Sequence, residues 1–569
     1  MEINEKIRAY SLQNAILHDG KANASAVIGK LIADNPKLRN DIKELAMQVN
    51  KVIKEINKIP LEKQLSELKR KAPELLEKKH AEEKHELASL PGATDNVILR
   101  YAPFPSGPLH IGNVYPAVIN DEYRKKYNGR LLLIIDDTIG SEEKQIVKEA
   151  YNLVPQGLNF LGIKYETPIL YKSDRIGIYY KYAEEIISKN SAYVCFCSIE
   201  KLRENRNKGK ECECREHDKK TNLKEWANML AGKYKEGEAT LRIKTSMRHP
   251  NPAFRDRVLL RISHREHPRV GSKYIVWPLL EFSWAVDDHL FGITHVMRGK
   301  DLMIESEMEE YIWDIFGWKK PVLLHTGLIK LEGIKLSKSK SQHEIKTGQY
   351  SGWDDPRTWS VQSLARRGIN AEAIRKFCLN FGFMNHEATA PIDMLYAENR
   401  KITEKSNRYF FIANPKKIKI EKAMEMIVGI PLHQDYIDRG TRNFSTKNEF
   451  YIAKEDYNLI IKNKGNYRLM HLFNFKYNKK FEFISKELDE NLKAKLIHWL
   501  PTEEENIKAE VMMPDGLLVE GLAEKGVQNL KEGDIIQFER FGFCRLDRIE
   551  KSKDKGQEKD KFVFWFSHK

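Results

Sequence analysis

The sequence is poor in cysteine and has no long apolar run. Six cysteines in 569 residues exclude a disulfide framework in a chain this size. Four of them fall in two tight pairs, Cys195–Cys197 and Cys212–Cys214, a pattern of metal binding or of chance rather than of oxidation. The longest aliphatic run, Leu131 to Ile135, is far short of the roughly 20 residues that span a bilayer. The N-terminus mixes charges (Glu2, Glu5, Lys6, Arg8) and lacks the apolar centre of a signal peptide. These absences predict a cytoplasmic protein with no membrane partner. No internal repeat is evident, which excludes a solenoid or propeller.

What is present is a globular composition, 41% apolar and 31% charged. The length is too great for one core and predicts three or more domains. The net charge of +15 gives long-range attraction to a polyanion, because neutralising phosphates releases condensed counterions. A merely solubilising lysine-rich surface would give the same number.

Residues 1–93 read as a helical extension. Between Ile42 and Leu68, apolar residues recur at helical spacing (Leu45, Val49, Val52, Ile53, Ile56), interrupted at Pro60. Lys69 to Glu86 reads as a solvated charged face leading to a linker, with an RNA-touching arm as the alternative. From Asn96 the character changes. Val97 to Ala102 is a buried-strand pattern, broken by Pro103, Pro105, Gly107 and Pro108. A helix from Asn113 to Tyr127, a turn at Asn128–Gly129 and a strand from Arg130 to Ile135 complete a βαβ unit of a parallel sheet. Helices are predicted over Glu143–Leu161 and Arg175–Lys189. An insertion follows from Tyr193 to Val276, and sheet-like sequence resumes at Phe282 and runs to about Leu331. Past Tyr396, short apolar runs between lysines and turns predict an all-β C-terminal region built of barrels.

Two short motifs carry chemistry. The loop Pro103-Phe-Pro-Ser-Gly-Pro-Leu-His-Ile-Gly-Asn113 lies between a strand and a helix start, where small residues let a nucleotide approach and the helix N-terminus favours anions. His110 can donate to a phosphate oxygen, and Gly112 leaves room for adenine or ribose. Lys335-Leu-Ser-Lys-Ser339 follows Glu332–Gly333; ammonium groups there can reach a triphosphate and stabilise charge as pyrophosphate leaves. Either string alone is weak, a turn or a solvated lysine cluster.

Together, in this order, they resemble the two signatures of class I aminoacyl-tRNA synthetases. Val286-Asp-Asp-His-Leu-Phe-Gly-Ile-Thr-His-Val-Met-Arg-Gly-Lys-Asp301 resembles the glutamyl branch. Gly352–Arg357, Leu364–Ile369, Arg408–Phe411 and Gly533–Arg540 resemble its archaeal and eukaryotic form, which carries β-barrel anticodon domains. The resemblance spans roughly Asn96 to Asp547. It implies a multidomain fold: a Rossmann-type α/β parallel-sheet catalytic domain over 94–345 with an acceptor-binding insertion near 193–276, a helical stem-contact linker over 346–400, and anticodon-binding barrels over 401–569.

The resemblance also implies the reaction, in which glutamate is activated by ATP with Mg2+ and joined to the 3′ end of a tRNA. The nucleotide would lie against Pro103, Pro105, Gly107, His110, Gly112, Asn113, Lys335, Ser337 and Lys338. His110 and, more weakly, Asn113 would face the phosphates, and Lys338, helped by Lys335, would stabilise the transition state. Because the substrate carboxylate is the nucleophile, catalysis reduces to positioning and charge stabilisation. Arg100, Ala102, Asp136 and Arg298 would hold glutamate, with Leu280 and Trp284 beside it. Arg298 separates glutamate from glutamine, since a guanidinium matches a carboxylate and rejects an amide. Two arginines and one aspartate suit a substrate with two carboxylates and one ammonium. The sequence departs from the family where Asn113 replaces the usual second signature histidine, Leu280 a frequent Tyr, Trp284 a small or amide residue, Ile134 a frequent Arg and Phe104 a small polar residue.

Cys195, Cys197, Cys212 and Cys214, with His217 nearby, could close a tetrahedral Zn2+ site, as this insertion does in some relatives; reduced thiols are the alternative. Cys378 and Cys544 read as core. Aromatics interleaved with cations in the C-terminal region could stack on unpaired bases, but each ring reads first as barrel core. Expected partners are tRNA-Glu, with tRNA-Gln undecided, and L-glutamate, on a monomer. The rivals are a glutaminyl enzyme, opposed by Arg298, and a non-catalytic tRNA binder, opposed by Arg100, His110, Asp136, Arg298 and Lys338. A truncated relative that modifies tRNA bases is opposed by the long C-terminal region.

Overall fold

A computed structural model describes residues 3–17, 20–34, 38, 41–72, 75, 87–139, 145–334, 336–554 and 557–569. It divides into two compact units, residues 1–85 and 86–569. The first contains four helices: α1 (Ile3–Leu17), α2 (Ala24–Asp34), α3 (Ile42–Ile56) and α4 (Leu61–Lys71). The predicted spacing holds in α3, which buries Leu45, Val49, Ile53 and Ile56. Pro60 breaks the helix and caps the next one, and the buried Gln64 amide donates to the carbonyls of Gly20, Ile56 and Ile59 (2.9–3.0 Å). Gln64 thereby ties the turn before α4 to the end of α3 and to the loop after α1. Most of the charged stretch after Lys71 lies outside the described residues.

The second unit opens on three parallel strands, β1 (Ile98–Tyr101), β2 (Arg130–Ile135) and β3 (Glu166–Tyr171), joined by α5 (Ile111–Lys126) and α6 (Ala150–Phe160). After α7 (Ile176–Ser188) comes the insertion. Its antiparallel sheet of β4 (Ala192–Cys195), β5 (Thr240–Ile243), β6 (Val258–Ile262) and β7 (Val276–Pro278) is flanked by α8 (Ile199–Lys208) and α9 (Lys219–Leu230). The chain returns through α10 (Leu280–Leu290) to a second parallel pair, β8 (His295–Gly299) and β9 (Val322–Thr326), with α11 (Met303–Phe316) between them. Thr294 N–H donates to Ile98 O (2.9 Å) and ties this pair to β1.

Phe282 therefore starts no strand; it lies in α10. That helix is buried on nearly every side from Glu281 to Asp288, and a helix without a solvent face has no 3.6-residue alternation to distinguish it from a buried strand. The predicted helix from Glu143 begins at Ala150 among the described residues. Next come β10 (Ile329–Leu331), α12 (Lys338–Lys346), α13 (Val361–Arg366), α14 (Ala371–Leu379), β11 (Ala388–Ala390) and α15 (Ile392–Thr403).

Beyond α15 the described residues are β-rich, with two seven-stranded sheets, a two-stranded one and one α-helix, Lys454–Asn463. One sheet begins and ends on neighbouring segments, Arg408–Tyr409 and Phe411–Ala413, and so curls back on itself as a barrel does. Tyr409, Phe411, Phe538, Phe562, Phe564 and Phe566 fill its core, and Cys378 and Cys544 are buried. The aromatics of these motifs are packing residues.

Candidate active site

Parallel strands aim their carboxyl ends at one edge, where ligands of open α/β sheets bind. Four charged residues sit at such ends. Arg100 is the penultimate residue of β1, Asp136 follows β2, Lys172 follows β3, and Arg298 is the penultimate residue of β8.

The proline-rich loop leaves β1 and enters α5 at His110, which caps the helix by accepting the Gly112 N–H on Nδ1 (3.2 Å). That acceptance leaves the ring proton on Nε2. Val361 N–H donates to Leu109 O (2.8 Å), and Asp136 and Val147 N–H donate to Pro103 O and Pro105 O (3.1 and 2.9 Å), so the loop is held on both sides. Ser337 caps α12 and accepts the Lys340 N–H (3.3 Å). Lys338, the next residue, lines a small cavity with His110, Pro108, Ser337, Trp353 and Ser360. The two motifs therefore meet. Burial pushes the His110 pKa down to about 3, aided by the Lys338 charge, and burial pushes Lys338 down to about 8. Asn113 accepts the Tyr101 hydroxyl on its backbone O (3.0 Å), and its side-chain Oδ1 is buried with no partner among the described residues. Lys335 lies outside the described residues.

The two glycines have separate tasks. A Cβ on Gly112 would stand 3.2 Å from the His110 ring, so the room expected there for a nucleotide is filled by the histidine that turns back to cap the helix. Gly107 has φ +140° and a Cβ there would stand 2.8 Å from the Trp353 ring. Gly107→Ala should therefore cost about 1–3 kcal/mol of stability. Thermal unfolding tests this, and an unchanged transition would mean that Trp353 is not fixed against the loop.

A second group of side chains, at the strand ends, forms a buried charge cluster. Arg100 donates through Nη2 to Asp288 (2.9 Å) and bonds the other carboxylate oxygen through Nε. Lys172 donates to Asp136 (3.1 Å) and to Ser283 Oγ (2.8 Å). Arg298 grips Glu309 through both terminal nitrogens (2.7 and 2.8 Å) and Ser306 through Nε (3.0 Å). The Trp284 ring stands among the three cations, 4.7 Å from Lys172 Nζ, 4.9 Å from Arg100 and 5.2 Å from Arg298. Its Nε1 is buried without a partner among the described residues. Leu280 lies one turn earlier on α10, and Ala102 packs against Leu132, Ile134, Ile293 and Val296.

Burial works against each of these charges. It pushes Glu309 above the ordinary carboxylate range against the pull of Arg298, and Lys172 below the ordinary lysine range against Asp136. At Arg100 burial pulls the pKa down, but Asp288, with Glu309 and Asp136, outweighs it and holds the pKa above its usual value. A balance of two arginines against one aspartate omits Lys172, Asp288, Ser306 and Glu309. Nothing in the sequence marks them, since a lone Lys after a strand and acidic residues on helices read as surface. Their partners are brought in by the sheet, and buried charges require partners.

In the insertion, the end of β4 faces a short turn, Glu213–Glu216, and each carries cysteines. The sulfurs of Cys195, Cys197, Cys212 and Cys214 lie within 4.8 Å of one another, Cys195 and Cys212 at 3.9 Å. Four thiolates about 2.3 Å from a central Zn2+ stand about 3.8 Å apart, so the cluster fits that ion. Arg242 donates to Cys195 and Cys212 (3.5 and 3.7 Å), which favours thiolates.

Residues 96–404 match tRNA synthetases class I (E and Q), catalytic domain, and residues 406–497 and 496–547 match anti-codon binding domains of the same family. The protein named glutamate--tRNA ligase from Pyrococcus furiosus is 43% identical over 571 residues, covering 97% of this chain and 99% of that one. Its namesake from Methanocaldococcus jannaschii is 40% identical over 576 residues, covering 100% of both chains. With the two signature motifs lining one cavity and likeness running the whole length, the chain belongs to the class I tRNA synthetases of the E and Q type.

Proposed function

We propose that the protein activates L-glutamate with ATP and Mg2+ and transfers it to the 3′ end of tRNA-Glu. One observation carries this reading: Arg100, Asp136, Lys172 and Arg298 gather at the carboxyl ends of parallel strands, and the loop that leaves the first of those strands carries His110 to a cavity that Lys338 also lines. His110, neutral and protonated on Nε2, donates to an ATP phosphate. Lys338 stabilises the charge that grows as the glutamate carboxylate attacks the α-phosphorus, with Lys335 of the same motif and Asn113 in supporting roles. Backbone around Pro103, Pro105 and Gly107 shapes the nucleotide seat, Gly112 admits the capping His110 ring, and Ser337 fixes the start of α12. Arg100 holds a substrate carboxylate, and Asp136 receives the substrate ammonium in place of Lys172. The C-terminal barrels read the anticodon, and the net charge of +15 draws in the tRNA. The test is aminoacylation with radiolabelled glutamate or glutamine against purified tRNA-Glu and tRNA-Gln. Charging of tRNA-Glu with glutamate is expected; charging of neither tRNA with either amino acid would refute the reading.

Cys195, Cys197, Cys212 and Cys214 would hold one structural Zn2+, which would pin the strand end to the facing turn. One zinc per chain is expected in protein purified without added metal, and its loss when Cys195 and Cys197 are both changed to Ser. Elemental analysis decides it, and an active preparation free of zinc would end the metal reading alone.

A further inference from the structure

Four ion pairs make up the buried cluster: Arg100–Asp288, Lys172–Asp136, Arg175–Asp287 and Arg298–Glu309. The cluster is therefore neutral without substrate. Glutamate brings two carboxylates and one ammonium, and its entry would leave an excess negative charge in a site closed to water, which is costly. Seats for carboxylates are also few. Arg100 spends Nε and Nη2 on Asp288 and keeps Nη1 uncommitted among the described residues. Arg298 is different: Ser306 and Glu309, one turn apart on α11, take it from one side, and Glu309 engages both of its terminal nitrogens. That two-oxygen grip is the one a substrate side-chain carboxylate would make.

We propose that Glu309 sets the amino-acid preference of this site: its carboxylate occupies on Arg298 the seat of a substrate side-chain carboxylate, and glutamate must displace it. The inference rests on the ligase reading above and deepens it. Glu309 is a positioning residue, since it acts through Arg298. Asp288 and Arg100 are its other charged neighbours, and its raised pKa eases the loss of charge that displacement requires. An amide side chain adds no charge to the neutral cluster, so the resting pocket penalises glutamate and spares glutamine. Glutamate is preferred less strongly than a lone arginine would dictate.

The experiment compares kcat/KM for glutamate and glutamine, with tRNA present, in the unaltered chain, Glu309→Gln and Ser306→Ala. Glu309→Gln should lower KM for glutamate by about tenfold or more, leave kcat within about threefold, and raise the glutamate-to-glutamine ratio by about tenfold. Ser306→Ala loosens the same guanidinium without changing charge and should shift both amino acids alike. An unchanged or smaller ratio in Glu309→Gln overturns the proposal, as does an equal ratio change in Ser306→Ala. Should Glu309→Gln not fold, the unaltered chain decides by equilibrium dialysis with tRNA bound. A preference for glutamate below about a hundredfold supports the proposal and a larger one overturns it. Charging of tRNA-Glu by the unaltered chain with no ratio shift in the variant removes only this inference; a chain that charges with neither amino acid overturns the reading beneath it as well.

Discussion

Lys338→Ala should lower glutamate-dependent ATP–pyrophosphate exchange by about 10²–10³-fold and leave tRNA affinity near that of the unaltered chain. The ammonium lies in the cavity that His110 also lines, where the proposed reaction builds charge on the phosphates. A preorganised donor aimed at such charge is worth about 3–4 kcal/mol, because no solvent reorganisation is needed at the moment of reaction. The same burial lowers the Lys338 pKa to about 8 in the empty site, which adds a second signature. An amine is charged below its pKa, so kcat/KM for ATP should fall about tenfold per pH unit above about 8. That limb should vanish in Lys338→Ala. His110, pushed down to about 3, stays neutral over the same range and contributes no limb. Exchange at an unaltered rate in the variant would remove Lys338 from the chemistry.

The second large effect is at Arg100. Arg100→Gln should lower kcat/KM for glutamate by about 10³-fold, roughly 4 kcal/mol, again with tRNA binding intact. Two losses combine. Under the proposed reading the substrate carboxylate loses the guanidinium nitrogen left uncommitted by Asp288, and the buried Asp288 loses its only cation partner among the described residues. A buried carboxylate without its cation costs several kcal/mol or takes up a proton. The thermal transition should drop along with activity, and Arg100→Gln/Asp288→Asn should recover the stability without recovering the activity. Recovery of both would assign Arg100 a purely structural role. Aminoacylation kinetics and calorimetry on the two variants separate these cases, with filter binding reporting on the tRNA.

Sequence by itself determined the order of parts. Proline and glycine breaks after an apolar strand can form only a loop at a strand end, and that loop is where His110 lies. The helical spacing of Leu45, Val49, Ile53 and Ile56 requires an amphipathic helix, and such a helix forms. Period and punctuation are local properties, so they survive without knowledge of the fold. The cysteine spacing likewise presented four thiols, and the hairpin-like approach of Cys195 and Cys212 brings them to metal-binding distance. Tertiary structure alone decided what the charged residues do. Arg298 reads in sequence as an open guanidinium awaiting a substrate; α11 delivers Glu309 and Ser306 to it from one turn of helix. Lys172 reads as a surface lysine and is wholly buried between Asp136 and Ser283, residues 36 and 111 positions away. Trp284 reads only as a departure from a small or amide residue, and the fold ranges three cations around its ring. The reason is common to all three. A charge is free or spent according to which groups share its low-dielectric surroundings, and those groups are chosen by strand order and helix packing, which no local pattern of residues encodes.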